Sequence, residues 1–272
     1  MSTFDKIEPR KVCPVIFLID TSGSMMGAPI GALNSAIENL MSELIAKNDS
    51  NPNVEIKVAI MTFNNDAKWV VGGDELLTPE DVQNSWNDLE AGGVTSMGAA
   101  LSALNKKLSD ESGFLNPASK FMSPLLILFM DGEPTDDYKS ALTELRRNIW
   151  YKIAMRVAVG YGEANDDVMR EFVGKEGIIL HTDATLKLTE IIKHISYSPE
   201  DIPKFTQPAQ RSNINALRNT IRFVADFSFA ARNYNILTPE ELKTILQIIG
   251  NVSSRAVESA QNFSIEDFDD EW

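Results

Sequence analysis

This chain of 272 residues has one cysteine and no long apolar run, which argues against disulfide bonds and against a membrane span. The single cysteine, Cys13, rules out an internal disulfide and fits a reducing compartment. No run of 18 apolar residues is present, so we expect no membrane span. The first residues, MSTFDKIEPRKV, lack the apolar core and the small-residue cleavage site of a secretory signal. We therefore expect a cytoplasmic protein.

Positive charge is also in short supply, with 25 Lys and Arg against 39 Asp and Glu and a formal net charge of −14. Phosphate backbones are bound by clustered Lys and Arg, so this balance argues against a nucleic-acid partner. Part of the negative charge crowds into residues 263–272, FSIEDFDDEW, where we expect a flexible acidic tail. The alternative is a docking peptide, because the segment also carries four apolar anchors. These anchors are Phe263, Ile265, Phe268 and Trp272.

Over the first 200 residues, short apolar runs alternate with amphipathic stretches, which is typical of βα units around a mostly parallel sheet. Continuous apolar runs at 15–19 and 125–130 indicate strands buried on both faces. The connection from 54–63 to 67–71 is too short for a crossover, so 67–71 should be an antiparallel edge strand. The sequence predicts an α/β, Rossmann-like, doubly wound sheet of six strands. The other predicted elements are strands at 153–159 and 177–180 and helices near 33–44, 96–108, 138–148, 165–173 and 185–196.

A break in the pattern follows, because SPEDIPKFTQP places three prolines between Ser198 and Pro208. Proline cannot donate a backbone hydrogen bond to a helix or a sheet. Beyond the break the apolar spacing is helical only, with Thr238 as a predicted N-cap before Pro239. We expect a domain over residues 1–200, a helical extension over 201–262 after this proline-containing linker, and the acidic tail over 263–272.

Polar side chains gather where the predicted strands end. The first strand leads into Asp20-Thr21-Ser22-Gly23-Ser24, and the central one leads into Asp131-Gly132-Glu133. Between them, Gly92-Gly93-Val94-Thr95 opens a helix. Ligands of open α/β sheets bind beyond the carboxyl ends of the strands, where the strand order reverses. If strands 15–19 and 125–130 are neighbours at that point, the three segments meet in one crevice.

Such a crevice would offer oxygen ligands alone, from two carboxylates and three hydroxyls. Hard oxygen ligands suit Mg²⁺, with Mn²⁺ and Ca²⁺ as alternatives, and disfavour zinc or copper. Mg²⁺ takes about six oxygens, so five side chains, some acting through water, leave a position open. That position favours a carboxylate from outside, which predicts a protein partner that offers Asp or Glu. The five residues are Asp20, Ser22, Ser24, Thr95 and Asp131.

This set resembles the metal-ion-dependent adhesion site, or MIDAS, of von Willebrand factor A domains. The matching features are Asp20-x-Ser22-x-Ser24, a separate Thr95 and a strand-terminal Asp131-Gly132. The resemblance covers about residues 12–197, in the family's order of strands and helices. It implies that the serines contact the metal directly and that the threonine does so directly or through water. The two aspartates would act directly or through other ligands.

A closer resemblance is to bacterial TerY-like proteins, carried by PVIFLIDTSGSMMGAPIGALNSAIENL, GGVTSMGAAL and LFMDGEPTDD. It implies a part in tellurite resistance and stress response, beside a protein kinase and a PP2C-type phosphatase. The corresponding role is an adaptor or scaffold. Around the metal, the residues that a partner would touch are predicted to be Met26, Ser96 and Glu133.

Two other functions compete with binding. A Mg²⁺-dependent aspartyl phosphotransferase or phosphatase also places an aspartate after its first strand, but it needs a second carboxylate two residues later. Ser22 stands there, and no G-x-x-x-x-G-K-[ST] phosphate loop is present, so we expect no enzyme. The third hypothesis is a structural subunit whose metal only stabilises the loops.

Overall fold

The computed structural model of the chain describes residues 10–52, 54–109, 113–115, 120–174 and 177–182. The predicted helix at 185–196, the proline-containing linker, the helical extension and the acidic tail lie outside these residues. The strands are β1 Lys11–Asp20, β2 Val54–Phe63, β3 Ala67–Val71, β4 Leu125–Met130, β5 Met155–Tyr161 and β6 Ile178–Thr182. The helices are α1 Ala28–Ser50, α2 Pro79–Ser85, α3 Met97–Lys107, α4 Tyr138–Leu145, α5 Ile149–Ile153 and α6 Asp166–Val173.

The six strands form one sheet in the order β3-β2-β1-β4-β5-β6. All neighbours are parallel except β2 and β3, which form the antiparallel pair at the edge. This confirms the predicted fold class. The strand order reverses between β1 and β4, where Ile19 lies beside Phe129 in the register. The carboxyl ends of these two strands therefore meet at the point where an open α/β sheet binds ligands.

Helices cover both faces of the sheet, which is why β1 is apolar and buried from Val12 to Ile19. Val12, Ile16 and Leu18 of β1 share a core with α3, α4 and α6. Side chains alternate across a strand, so Phe17 and Ile19 face the other side. Helix α1 contacts β2 and buries a stripe of residues that begins at Ile30 and ends at Leu44. Among the described helices, none has the length and apolar character that a bilayer crossing requires.

Two helices differ from the sequence prediction because side-chain caps at single residues define them. The short helix α2 was not predicted; it begins after Thr78, whose hydroxyl accepts from the N–H of Asp81 at 3.2 Å. The predicted helix at 138–148 ends early, and α5 begins after Asn148, whose side chain accepts from the N–H of Trp150 at 2.9 Å. Because α5 runs to Ile153, strand β5 begins at residue 155 and not at 153. Capping side chains can start a helix too short to show periodicity.

We predict that Asn34→Ala lowers the free energy of unfolding by about 2–6 kcal/mol. Asn34 of α1 is buried, donates to the carbonyl of Leu89 at 3.0 Å and accepts from the N–H of Leu89 at 2.9 Å. The substitution leaves two buried backbone groups unpaired, each costing about 1–3 kcal/mol. Urea denaturation measures the effect. Asn48 makes the same pair of bonds to Ile56 in a partly buried setting, so Asn48→Ala should cost less. Equal losses would contradict the prediction.

Candidate metal centre

The first part of the site is the turn that follows β1. Asp20 is the last residue of the strand and is fully buried. Its Oδ1 accepts from the N–H of Ser22 at 2.8 Å, and the chain then makes a short 3-10 turn over Gly23–Met25. The N–H of Thr21 donates to the carbonyl of Phe63 at 2.9 Å, which attaches the turn to the end of β2. The side chain of Ser22 is buried, whereas that of Ser24 is exposed.

The second part, residues 92–95, lies directly against this turn. The N–H of Gly23 donates to the carbonyl of Gly93 at 3.0 Å, and the N–H of Gly92 donates to the carbonyl of Thr21 at 2.8 Å. Gly93 has a φ of 89°, in the left-handed region, and a Cβ there would run into the amide group of Asn65. Glycine is therefore needed at this position. These contacts hold Gly92 and Gly93 against the turn after β1, and Thr95, which follows them in the same segment, is buried.

The third part is Asp131, which follows β4 and is 9% exposed. The hydroxyl of Ser24 donates to its Oδ1 at 2.8 Å, and the hydroxyls of Ser22 and Ser24 lie 3.0 Å apart. Four of the five predicted ligands, Asp20, Ser22, Ser24 and Asp131, are thus linked by one continuous chain of hydrogen bonds. The residues come from opposite sides of the switch point, as the strand-end pattern predicted.

The two carboxyl groups of the site are held where their charged forms are poorly solvated. Burial raises the pKa of Asp20 to about 6, the nearby charge of Asp131 adds to the rise, and hydrogen bonds from Ser22 oppose it. Burial also raises the pKa of Asp131 above its ordinary value, against the hydrogen bond from Ser24. The second oxygen of Asp20, Oδ2, is buried without a hydrogen-bond partner among the described residues. Such an oxygen is costly to keep unless a cation or a donor reaches it.

The donor set fits a hard divalent cation. In the described part of the chain, no three His, Cys, Asp or Glu side chains lie close enough together to hold a metal ion by themselves. Here two carboxylates supply two negative charges, and hydroxyl oxygens complete the set. Oxygen ligands of this kind suit Mg²⁺, Mn²⁺ or Ca²⁺. Bound there, a divalent cation would balance the buried charge and could polarise a ligand supplied from outside.

The three predicted rim residues differ in how far a partner could reach them. Met26 is 63% exposed. Ser96 is buried, and its N–H donates to the carbonyl of Asn64 at 2.8 Å. Glu133 is exposed, and its Oε1 accepts from Nδ2 of Asn165 at 2.7 Å. Val94 is 49% exposed beside these residues and was not predicted from the sequence, where the available signal was an apolar residue after two glycines.

Two residues of the loop after β4 hold Thr95 and the start of α3 in place, and neither contact was predicted from the sequence. The N–H of Thr135 donates to the carbonyl of Thr95 at 2.8 Å. Asp136 accepts from the backbone N–H groups of Gly98 and Ala99 in the first turn of α3. The run Pro134-Thr135-Asp136-Asp137 contains typical capping residues, but nothing in it indicates which helix each one caps.

Comparison with known proteins shows which family the chain belongs to. A model of the von Willebrand factor type A domain matches residues 15–194. The human inter-alpha-trypsin inhibitor heavy chain H6 is 27% identical over 207 residues, a match that covers 69% of this chain and 15% of that protein. The human collagen alpha-6(VI) chain is 25% identical over 171 residues, covering 62% of this chain and 7% of that protein. The chain therefore spans only a small part of the length of these curated relatives.

Solved structures share the fold. A von Willebrand factor type A protein from Catenulispora acidiphila has a TM-score of 0.54 at 18% identity, covering 70% of this chain and 43% of that one. Proximal thread matrix protein 1 of the mussel byssus, with a zinc-occupied MIDAS motif, has a TM-score of 0.53 at 16% identity, covering 69% and 48%. At these identities the likeness shows the fold alone. Because the family model matches well over half of the 272 residues, the chain belongs to the von Willebrand factor type A domain family.

Proposed function

We propose that this chain is a metal-dependent protein-binding module, with no catalytic role of its own. Asp20, Ser22, Ser24, Thr95 and Asp131 would hold one divalent cation. An Asp or Glu of a protein partner would take the coordination position that these side chains leave open. The observation that carries the proposal is the set of hydrogen bonds that links Asp20, Ser22, Ser24 and Asp131, together with Oδ2 of Asp20, which is buried without a partner among the described residues.

The surroundings of the site support an adhesive role. Met26 and Val94 expose apolar side chains on the two loops that Gly23 and Gly93 join. A metal–carboxylate bond surrounded by apolar contacts gains strength, because excluded water no longer competes for the ion. Glu133 stands at the same edge and adds negative charge, which would favour a partner with basic residues beside its acidic one.

For the metal itself, we propose Mg²⁺, with Mn²⁺ or Ca²⁺ as alternatives. The oxygen donors and their low total charge favour this choice. Zinc enters the comparison because the mussel byssus protein has a zinc-occupied MIDAS motif. Titration calorimetry of the full chain with each of the four ions would rank their affinities. Zinc binding far tighter than that of the other three, at this site, would contradict the choice of a hard cation.

Ser22→Ala should weaken Mg²⁺ binding at least tenfold and abolish Mg²⁺-dependent capture of a partner, while the fold remains intact. The substitution removes a ligand oxygen and a hydrogen bond to Ser24, but it leaves the buried apolar core untouched. The measurements are calorimetry with Mg²⁺ and a pull-down from native lysate with and without chelator. Ser50→Ala is the matched control, because Ser50 is an exposed serine at the end of α1, and its hydroxyl donates to the carbonyl of Lys47.

The same pull-down separates the competing functions. Capture that survives both chelator and Ser22→Ala would contradict the proposal. If the metal only stabilises the loops, chelator should instead cause a large fall in melting temperature and leave capture of the partner unchanged. A phosphatase would release phosphate from a generic aryl phosphate ester. We expect no release, because the position for the second carboxylate holds Ser22, whose hydroxyl pairs with Ser24.

The resemblance to TerY-like proteins suggests a more specific context. We propose that the partner is a protein kinase or a PP2C-type phosphatase of a cytoplasmic stress-response or tellurite-resistance system, for which this chain is an adaptor. Mass spectrometry of the chelator-sensitive fraction tests this. Metal-dependent recovery of a kinase or such a phosphatase supports the context. Recovery of other proteins alone would leave the binding function standing and overturn the context.

A further inference from the structure

The loop after β4 holds Thr95 through both polar groups of its backbone. The N–H of Thr135 donates to the carbonyl of Thr95 at 2.8 Å, and the hydroxyl of Thr135 donates to the same carbonyl at 3.2 Å. In return, the N–H of Thr95 donates to that hydroxyl at 3.3 Å. Thr135 therefore forms hydrogen bonds with both the backbone N–H and the backbone C=O of Thr95, which lies 40 residues earlier in the sequence.

The next residue of the loop caps the helix that begins just after Thr95. Oδ1 of Asp136 accepts from the N–H of Gly98 at 2.9 Å, and Oδ2 accepts from the N–H of Ala99 at 3.0 Å. First-turn N–H groups have no partner inside a helix, and the N-cap residue Ser96 makes no side-chain bond to them. A Cβ on Gly98 would lie 2.9 Å from Oδ2 of Asp136, so glycine gives the carboxylate room to approach.

We propose that Thr135 and Asp136 are positioning residues of the metal site. They fix Thr95 relative to Asp131, which lies on the same loop. One loop then carries one ligand and sets the place of another that is distant in sequence. The inference rests on the proposed metal-binding function. Neither residue needs to contact the cation, and both act through Thr95.

Asp137 provides a control within the same loop. Its carboxylate caps α4, accepting from the N–H of Ser140 at 3.2 Å and from the hydroxyl of Ser140 at 2.6 Å. Asp136 and Asp137 are thus adjacent helix caps of the same chemistry. Only Asp136 caps the helix that follows Thr95. A purely structural role predicts similar behaviour for the two, whereas positioning predicts that only Asp136 affects the metal.

The experiment measures Mn²⁺ binding to the full chain by electron paramagnetic resonance, with melting temperature recorded for each variant. Asp136→Ala and Thr135→Val should weaken Mn²⁺ binding about tenfold, Asp137→Ala should leave it within about twofold, and Thr135→Ser should restore it. Asp136→Asn keeps an acceptor oxygen, so it serves as the milder variant if Asp136→Ala does not fold. Equal weakening by the changes at 136 and 137, or no weakening by either, would overturn the inference.

A double-mutant cycle tests whether the effect passes through Thr95. In a Thr95→Ala background, Asp136→Ala should produce no further loss of Mn²⁺ affinity, because the side chain it positions is gone. A further loss as large as in the unsubstituted chain would overturn the positioning role and leave the metal site standing. Failure of the unsubstituted chain to bind Mn²⁺ at all would overturn the proposed function, and this inference with it.

Discussion

Asp20→Asn should make the metal-free protein more stable at pH 7.5, by about 1–2 kcal/mol, and abolish divalent-cation binding. The folded-state pKa of Asp20 lies near 6, against an ordinary value of 3.8. Each pKa unit corresponds to about 1.4 kcal/mol, so holding the charged form in the fold costs about 3 kcal/mol. Asparagine removes that cost and keeps the oxygen that accepts from Ser22. The buried amide N–H groups of the asparagine offset part of this increase in stability, because they have no hydrogen-bond acceptor.

The sign of this effect depends on pH and on metal. A raised carboxyl pKa gives a penalty that is absent below pH 3.8, grows between pH 3.8 and 6, and is complete above 6. The advantage of Asp20→Asn should therefore disappear near pH 4. Saturating Mg²⁺ should reverse the order at pH 7.5, because a ligand at a hundred times its Kd stabilises the native state by about 2.7 kcal/mol. Only the unsubstituted protein would gain this stabilisation, because Asp20→Asn is expected not to bind the ion.

Urea denaturation at pH 4 and pH 7.5, with and without Mg²⁺, measures all four combinations. Asp66→Asn is the matched control: Asp66 is an exposed loop aspartate that accepts from the N–H of Ala67 at 2.8 Å. It should change neither stability nor metal binding. A metal-free Asp20→Asn protein that is less stable at pH 7.5 would show that the carboxylate is well accommodated without a cation, and the electrostatic basis of the site would be wrong.

The strands that carry the site could be predicted from the sequence, because each strand is indicated by a short apolar run. An uninterrupted apolar run before Asp20 and another before Asp131 indicate buried parallel strands, and parallel strands place their ends at one edge. The short connection from 63 to 67 is compatible only with a hairpin. Once these elements are placed, the topology alone brings the aspartates and serines together.

The features that could not be predicted from the sequence depend on hydrogen bonds between loops that are distant along the chain. Thr135 and Asp136 looked like ordinary loop residues, because their partners lie about 40 residues earlier and the register of the two loops cannot be read from either one. The burial of Ser96 could not be predicted from the sequence for a similar reason. The residue before a helix can face inward or outward, and here the hydrogen bond to Asn64 holds it inward. Helix α2 escaped prediction because seven residues are too few to show a 3.6-residue period.

Metal affinity should fall about tenfold between pH 7.5 and pH 5. A cation needs Asp20 ionised, so it competes with the proton that the raised pKa, near 6, retains in the metal-free fold. Above pH 7 the carboxyl is already charged and affinity should be flat. Each pH unit below 6 should then cost about a factor of ten, as one proton must leave for each ion bound. The pKa of Asp131 is also raised, which steepens the fall at lower pH.

Calorimetry with Mg²⁺ at pH 6, in buffers of different ionisation enthalpy, counts the protons directly. About half a proton should be released per ion, because about half of the Asp20 side chains carry one at that pH. Ser24→Ala should steepen the fall at lower pH, since it removes the hydroxyl that donates to Asp131 and holds the pKa of that carboxyl down. An affinity that stays constant from pH 7.5 to 5 would mean that the cation does not bind through these buried carboxylates. The open coordination position, and the partner carboxylate proposed to fill it, would then have to lie elsewhere on the molecule.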